Sequence, residues 1–226
     1  TGQTVRIPLI AAPHGAATQD ARPRASKVKS SDAEMMRSLV IYEDDRIIAL
    51  NKPAGLAVQG GTGTTRHIDA LSRALVDDTA EKPRLVHRLD RDTTGVLVLA
   101  KSAGVANQLG KLFRSRELDK IYWAVTLGVP HPQDGDIRGY MIKAAGPGGE
   151  KEKMRTAEQS EKGSVFALTL YSVVQNAGRK AAWVALKPET GRTHQLRFHM
   201  AEIGCAIVGD RKYTCDREVP SGLADG

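Results

Sequence analysis

Cysteine is scarce in this chain, and its two examples, Cys205 and Cys215, stand near one end without the paired spacing or accompanying histidines of a zinc site. They read as free thiols, and no metal is expected. There is no apolar run approaching the ~20 residues needed to cross a bilayer, and no apolar leader followed by a small-residue cleavage site. No membrane partner is therefore expected, and the chain reads as cytoplasmic. Acidic residues are the minority: 33 Lys and Arg against 26 Asp and Glu leave a net charge of +7. A basic surface suits a polyanion, because Lys and Arg that displace phosphate counterions supply affinity without reading sequence. An enzyme that is merely basic fits this balance equally well. With 41% hydrophobic and 26% charged residues, wholesale disorder is excluded, and 226 residues can bury one sizeable core.

The chain opens on Thr1 and is expected to be a fragment or processed product, with "TVRIPLI" alternating like the last strand of a preceding unit. Residues 9–33 lack any period and are rich in Ala, Ser, Pro and basic side chains, which is linker composition. Order resumes where two β-rich runs, Leu39 to Tyr42 and Arg46 to Leu50, flank the turn Glu43-Asp44-Asp45 and predict a hairpin. "GGTGTTRHIDALSRALV" predicts a loop opening a helix with Ile68, Leu71 and Leu75 at helical spacing. The loop lacks the Gly-Lys-Ser/Thr ending of a phosphate cradle, so no nucleotide site is assigned there. Ser102 is an N-cap candidate for a helix through about Arg116 whose stripe is Val105, Leu109, Leu112 and Phe113. Strand-like runs follow at Lys120 to Leu127, Val165 to Val174 and Lys180 to Lys187, with "AAGPGGEKEKMRT" expected to be a mobile loop. Strands and helices do not alternate regularly, which favours an α+β fold with a mixed, largely antiparallel sheet, flanking helices and a central cleft.

The chemistry-bearing stretch is "LVHRLDRDTTGVLVLAK", Leu85 to Lys101, where charged side chains run directly into an apolar strand. In an extended segment Arg88, Asp90 and Asp92 share one face while Leu89 points the other way. A carboxylate such as Asp90 at the edge of a buried sheet needs a cation or hydrogen bonds to stay ionised, which suits a nucleophile or base. A surface ion-pair cluster accounts for the same charges. The His-Arg-Asp loop of protein kinases is excluded, because Leu89 intervenes and neither the following Asn nor an Asp-Phe-Gly is present. Asp92 is badly placed to be the second carboxylate of a glycosidase. In "PETGRTHQLRFHMAEIGCAIVGDRKY" a helix is predicted from about Thr193, with Leu196, Met200 and Ile203 as its seam and His194 and Arg197 on another face. Arg197 then leans toward a carboxylate, or Arg192, His194, Arg197 and His199 form a solvated basic face. The spacing of His194 and His199 is off that of helical zinc ligands.

"HRLDRDTTGVLVLAK", "KPAG", "DKIYWAVTLG" and "TGRTHQLRFHMAEIGCAIVGDRKY", in this order, resemble the RluA family of pseudouridine synthases over roughly residues 38 to 213. The resemblance implies a pseudouridine synthase fold, with Asp90 as the catalytic aspartate, Arg197 as its salt-bridge partner and Tyr122 meeting the uracil ring. It implies that Arg88 enters the stack vacated by a flipped uridine, that Leu196 packs on that base, and that His87 and Arg192 also contact substrate. It further implies an RNA partner, ribosomal RNA of the large subunit first and transfer RNA second, no cofactor, and a monomer. Residues 1–8 resemble the end of an alpha-L RNA-binding domain, residues 9–33 are the linker, and residues 34–226 are the catalytic domain, expected to lack its C-terminal end. Cys205-Ala206-Ile207 and Tyr213-Thr214 depart from the family's Gly-x-Pro-Ile and Tyr-Gly. The alternative function is a catalytically silent RNA-binding or ribosome-assembly module of the same fold.

Overall fold

The computed structural model describes residues 28–61, 63–115, 117–144 and 153–220. The expected N-terminal remnant and most of the linker lie outside the described residues. Helix α1, Ser30–Ser38, begins inside the stretch read as linker and buries Met36. The predicted hairpin forms as strands β1 (Val40–Glu43) and β2 (Ile47–Lys52). Asp44 makes its turn, because the carboxylate accepts from the backbone N–H of Arg46 at 2.7 Å and of Ile47 at 2.8 Å. Helix α2, Ile68–Leu71, continues as a 3₁₀ turn over Ser72–Leu75 and buries Ile68 and Leu71 as its spacing predicted.

Strands β3 (Arg84–Leu85) and β4 (Gly95–Ala100) complete an antiparallel sheet in the order β1-β2-β4-β3. Leu97 and Leu99 of β4 meet Ile48 and Leu50 of β2 in a core closed by Met36, Ile68 and Leu71. Helix α3, Ala103–Ser115, starts where Ser102 Oγ accepts from the Val105 N–H at 3.3 Å. Its stripe is shallower than expected: Leu112 is exposed and only Gly110 is fully buried.

The second sheet holds β5 (Tyr122–Leu127), β6 (Asp134–Ala144), β7 (Lys153–Ala157), β8 (Val165–Ala177) and β9 (Ala181–Pro188), ordered β5-β9-β8-β6-β7. Helix α4, Gln195–Glu202, lies on it, Met200 entering the core of Ile137, Tyr171, Val184 and Leu186. Tyr122 packs against both cores and so marks where the sheets approach each other.

Two expectations change. Every ladder between named strands is antiparallel, so "mixed" is too broad; the one parallel contact among the described residues is the isolated bridge Ala57 to His67. The stretch read as a mobile loop contributes Lys153 to Thr156 to β7, paired residue by residue with β6. Only Met154 of β7 is buried, and a strand with one apolar residue among charges has no hydrophobic alternation to read.

Candidate functional site

The motif from Leu85 to Asp92 leaves β3 and crosses to β4 through a turn in which the Thr93 N–H bonds the Asp90 carbonyl at 3.2 Å. Leu89 is buried and Arg88 exposed, as the alternation predicts, but the alternation ends at Asp90, because the chain turns at Arg91 and Asp92 and both are exposed. The loop is pinned from beneath by Lys52, which is fully buried. Its ammonium donates to the carbonyls of Pro53 and Leu56 at 2.9 Å and of Arg91 at 2.8 Å. Burial pushes this amine down to about 8, against the opposing charges of Asp92 and Asp90. Sequence reading listed Lys52 only as part of a motif; its role is to tie the Pro53–Gly55 turn to the loop carrying Asp90. Lys52→Met is expected to cost roughly 2–4 kcal/mol of stability, because three carbonyls, that of Leu56 in a buried bond and those of Pro53 and Arg91 in part-buried ones, lose their donor at once. Urea unfolding at neutral pH measures this directly.

Arg197 reaches the site from α4. Its guanidinium grips Asp210 in a two-pronged pair, Nε to Oδ2 at 2.6 Å and Nη2 to Oδ1 at 2.8 Å. Nη1 is left toward Asp90, 3.6 Å from Oδ2. The expected Arg197–Asp90 contact is present, but the arginine's main partner is a residue that sequence reading missed. Asp210 arrives because the segment after α4 pairs along β5, the Leu127 N–H bonding the Ala206 carbonyl and the Val208 N–H the Val125 carbonyl, both at 2.8 Å. Burial raises the Asp210 carboxyl, but Arg197 and the backbone N–H groups of Lys212 and Tyr213 more than offset this and hold it below its ordinary value. The bond to Asp210 raises Arg197 in turn.

Tyr122, at the start of β5, is driven upward first by burial and then by the Asp90 charge, so its phenol is protonated at neutral pH. Leu196 is half-buried on the same core cluster as Tyr122. Arg88 is exposed two residues before Asp90.

Arg192 stands apart. Its Nε donates to the Phe166 carbonyl at 2.9 Å, and it lines a cleft of about 310 Å³ with Met141, Met154 and Thr193 that does not include Asp90.

Two histidines are held by the fold. His87, expected to contact substrate, is half-buried, its Nε2 accepting the Val98 N–H at 2.9 Å and its ring stacking on Phe113. Burial, assisted by Lys120, pushes it down to about 4. His199 belongs to no solvated face; it is buried, its Nδ1 lies 2.9 Å from Thr169 Oγ1, and burial takes it down to about 4. Ile203, placed in the buried seam of α4, is instead exposed, and Gln195 is buried in its stead on Thr169, Thr190 and the Leu168 carbonyl.

An aspartate framed by a half-buried tyrosine and by an arginine that a second aspartate holds, where two antiparallel sheets meet, defines an α+β protein with a carboxylate at its centre. The chain belongs to the RNA pseudouridylate synthase family, whose model matches residues 46–202, and within it to the RluA type. It is 37% identical over 229 residues to RNA pseudouridine synthase 4, mitochondrial, of Arabidopsis thaliana, covering 94% of this chain and 48% of that protein. It is 36% identical to ribosomal large subunit pseudouridine synthase C of Rickettsia bellii (80% of this chain, 58% of the relative). It is likewise 36% identical to pseudouridylate synthase RPUSD4, mitochondrial, of Xenopus tropicalis (88% and 67%). The solved structure of human RNA pseudouridylate synthase domain containing 4 matches with a TM-score of 0.69 at 32% identity, covering 84% of this chain and 76% of that one. The chain spans about half the length of the first curated relatives it matches. The cytoplasmic reading is corrected: the Arabidopsis and Xenopus relatives are named mitochondrial.

Proposed function

We propose that this protein isomerises uridine to pseudouridine within RNA, with Asp90 as the reacting carboxylate. The observation that carries the reading is the half-buried Asp90 held 3.6 Å from Arg197 across the sheet junction, with Tyr122 close enough to feel its charge. The reaction breaks the bond from ribose C1′ to uracil N1, turns the ring and rejoins it through C5. It needs a carboxylate beside the sugar, walls that retain the free ring and an acceptor for the C5 proton. Tyr122 and Leu196 supply walls on one core cluster, and the Tyr122 phenol would take the C5 proton only after its own proton has passed to Asp90 or to solvent.

A uridine inside folded RNA is reached only after extrusion, at a cost of a few kcal/mol in unstacking. Arg88, exposed two residues before Asp90, would fill the vacated position. The exposed Arg192 keeps its Nη groups for a phosphate while its Nε is anchored on Phe166. Residues 34–226 would act as the catalytic unit, as a monomer, behind the linker. The Rickettsia relative's name supports large-subunit ribosomal RNA as the target, and the plant and amphibian names support a mitochondrial setting.

RNA tritiated at uracil C5 is expected to release tritium into water when incubated with the protein, in the presence of chelator and with no added cofactor. RNA mass should stay constant. Free uracil would indicate a hydrolase, and binding without release would indicate the silent RNA-binding module.

A further inference from the structure

Two side chains at the start of α4 approach Asp90, and both make their closest approach to the same oxygen. Arg197 Nη1 is 3.6 Å and His194 Nε2 is 3.9 Å from Asp90 Oδ2. Behind them stands one buried residue, Tyr213. Its ring lies under the Arg197 guanidinium, 5.3 Å from the centroid. Its backbone N–H bonds Asp210 Oδ1 at 3.1 Å, the oxygen that also takes Arg197 Nη2. Its hydroxyl lies 2.9 Å from His194 Nδ1 and 2.8 Å from the Met154 backbone nitrogen.

Counting hydrogens assigns the histidine tautomer. A phenol has one hydrogen to give and lone pairs to receive. The Met154 N–H can only donate, so the hydroxyl oxygen accepts there, and among the described residues His194 Nδ1 is the one acceptor in reach of the hydroxyl's own hydrogen, which is left unpaired in the opposite tautomer. The ring proton of His194 is therefore on Nε2, the nitrogen nearer Asp90. Burial lowers the pKa of His194, Asp90 opposes this, Arg197 and Lys212 reinforce it, and Asp210 opposes it again; the net direction is downward, toward the neutral ring.

The backbone carries a second sign of purpose. His194 adopts φ 54°, the left-handed region that costs a Cβ-bearing residue roughly 1 kcal/mol or more. At the N-cap of α4 its carbonyl accepts from the Phe198 N–H at 2.9 Å, but its side chain makes no capping bond and is turned toward Asp90 instead.

We propose that Tyr213 and His194 are positioning residues: the Tyr213 hydroxyl fixes His194 as the Nε2–H tautomer, which joins Arg197 in holding Oδ2 of Asp90 and leaves Oδ1 to face the ribose. The proposal rests on the isomerase reading above. At 3.9 Å the Nε2–H falls short of a hydrogen bond in the free protein, and it closes on Oδ2 when RNA fills the site.

The test uses the whole chain at saturating concentration over RNA tritiated at uracil C5, with single-turnover rate, RNA Kd by filter binding and melting temperature measured for each variant. His194→Leu is expected to lower the rate roughly 100-fold, the scale of a displaced reacting group, with RNA Kd little changed. His194→Gln places an amide N–H near the Nε2 position and should recover most of that loss. His194→Asn places its amide near Nδ1 and should remain as slow as His194→Leu. The Gln and Asn variants are both polar and differ in reach alone, so their comparison stands even if His194→Leu fails to fold. A His194→Leu rate equal to wild type, or Gln and Asn variants equal to each other, overturns the proposal. A wild-type protein that releases no tritium refutes the isomerase reading instead.

Discussion

Asp90→Asn is expected to abolish turnover, lowering the single-turnover rate by roughly 10⁴-fold or more while RNA affinity changes little. The amide preserves the shape of the side chain, but it neither attacks C1′ nor removes the C2′ proton, the two routes open to a carboxylate beside the sugar. The structure explains why the change should stay local. The Arg197 fork belongs to Asp210, so neutralising Asp90 does not leave a buried guanidinium without a counter-charge. Lys52 is equally secure, because its three bonds go to backbone carbonyls. Single-turnover tritium release and filter binding decide the matter together: a variant keeping a tenth of the wild-type rate would remove Asp90 from the chemistry.

Arg197→Met should damage both the fold and the reaction, and the two losses are separable. The Asp210 side chain is 4% exposed, so deleting its cation leaves a buried carboxylate opposed only by backbone N–H groups, at a cost of roughly 3–5 kcal/mol. Asp210 is held low in the folded wild type, so its contribution is present above the unfolded carboxylate pKa and is lost as pH falls through the folded value. Without Arg197 burial prevails and the folded carboxyl binds its proton more readily. The stability gap between wild type and Arg197→Met should therefore be widest near neutrality and narrow on acidification. Adding Asp210→Asn removes the stranded charge while keeping an oxygen for the N–H groups of Lys212 and Tyr213. The double variant should regain most of the stability and none of the rate, since Asp90 still lacks the cation at 3.6 Å. Urea unfolding across pH, beside single-turnover assays, tests this; a double variant regaining both would make Arg197 a purely structural residue.

Residues that act on their near neighbours in sequence were legible. The Asp44 turn, the Ser102 cap and the apolar spacing of α2 each satisfy their own backbone within a few positions, so their pattern is written locally. Asp90, Arg197 and Tyr122 were legible through motifs. Strands β6 and β7 were not, because Gly135, Gly139 and the charges of Lys153 and Arg155 carry turn and surface signals, and only the pairing of β6 with β8 and of β7 with β6 makes them strands.

Composition and motif order alone therefore determined the class of fold and the family resemblance and named the candidate side chains for chemistry, because those depend on residue type and short spacing. Tertiary structure decided how those side chains are used. Whether a histidine is solvated or neutral depends on what packs over it: Phe113 and the Val98 N–H claim His87, Thr169 claims His199, and His194 is turned toward Asp90. Which carboxylate takes an arginine's fork depends on which chain segment closes against β5, and that segment brings Asp210 into bonding distance while leaving Asp90 one ångström farther away. At these separations a difference of one ångström divides a hydrogen-bonded ion pair from a contact still available to substrate, and a linear sequence contains no distances.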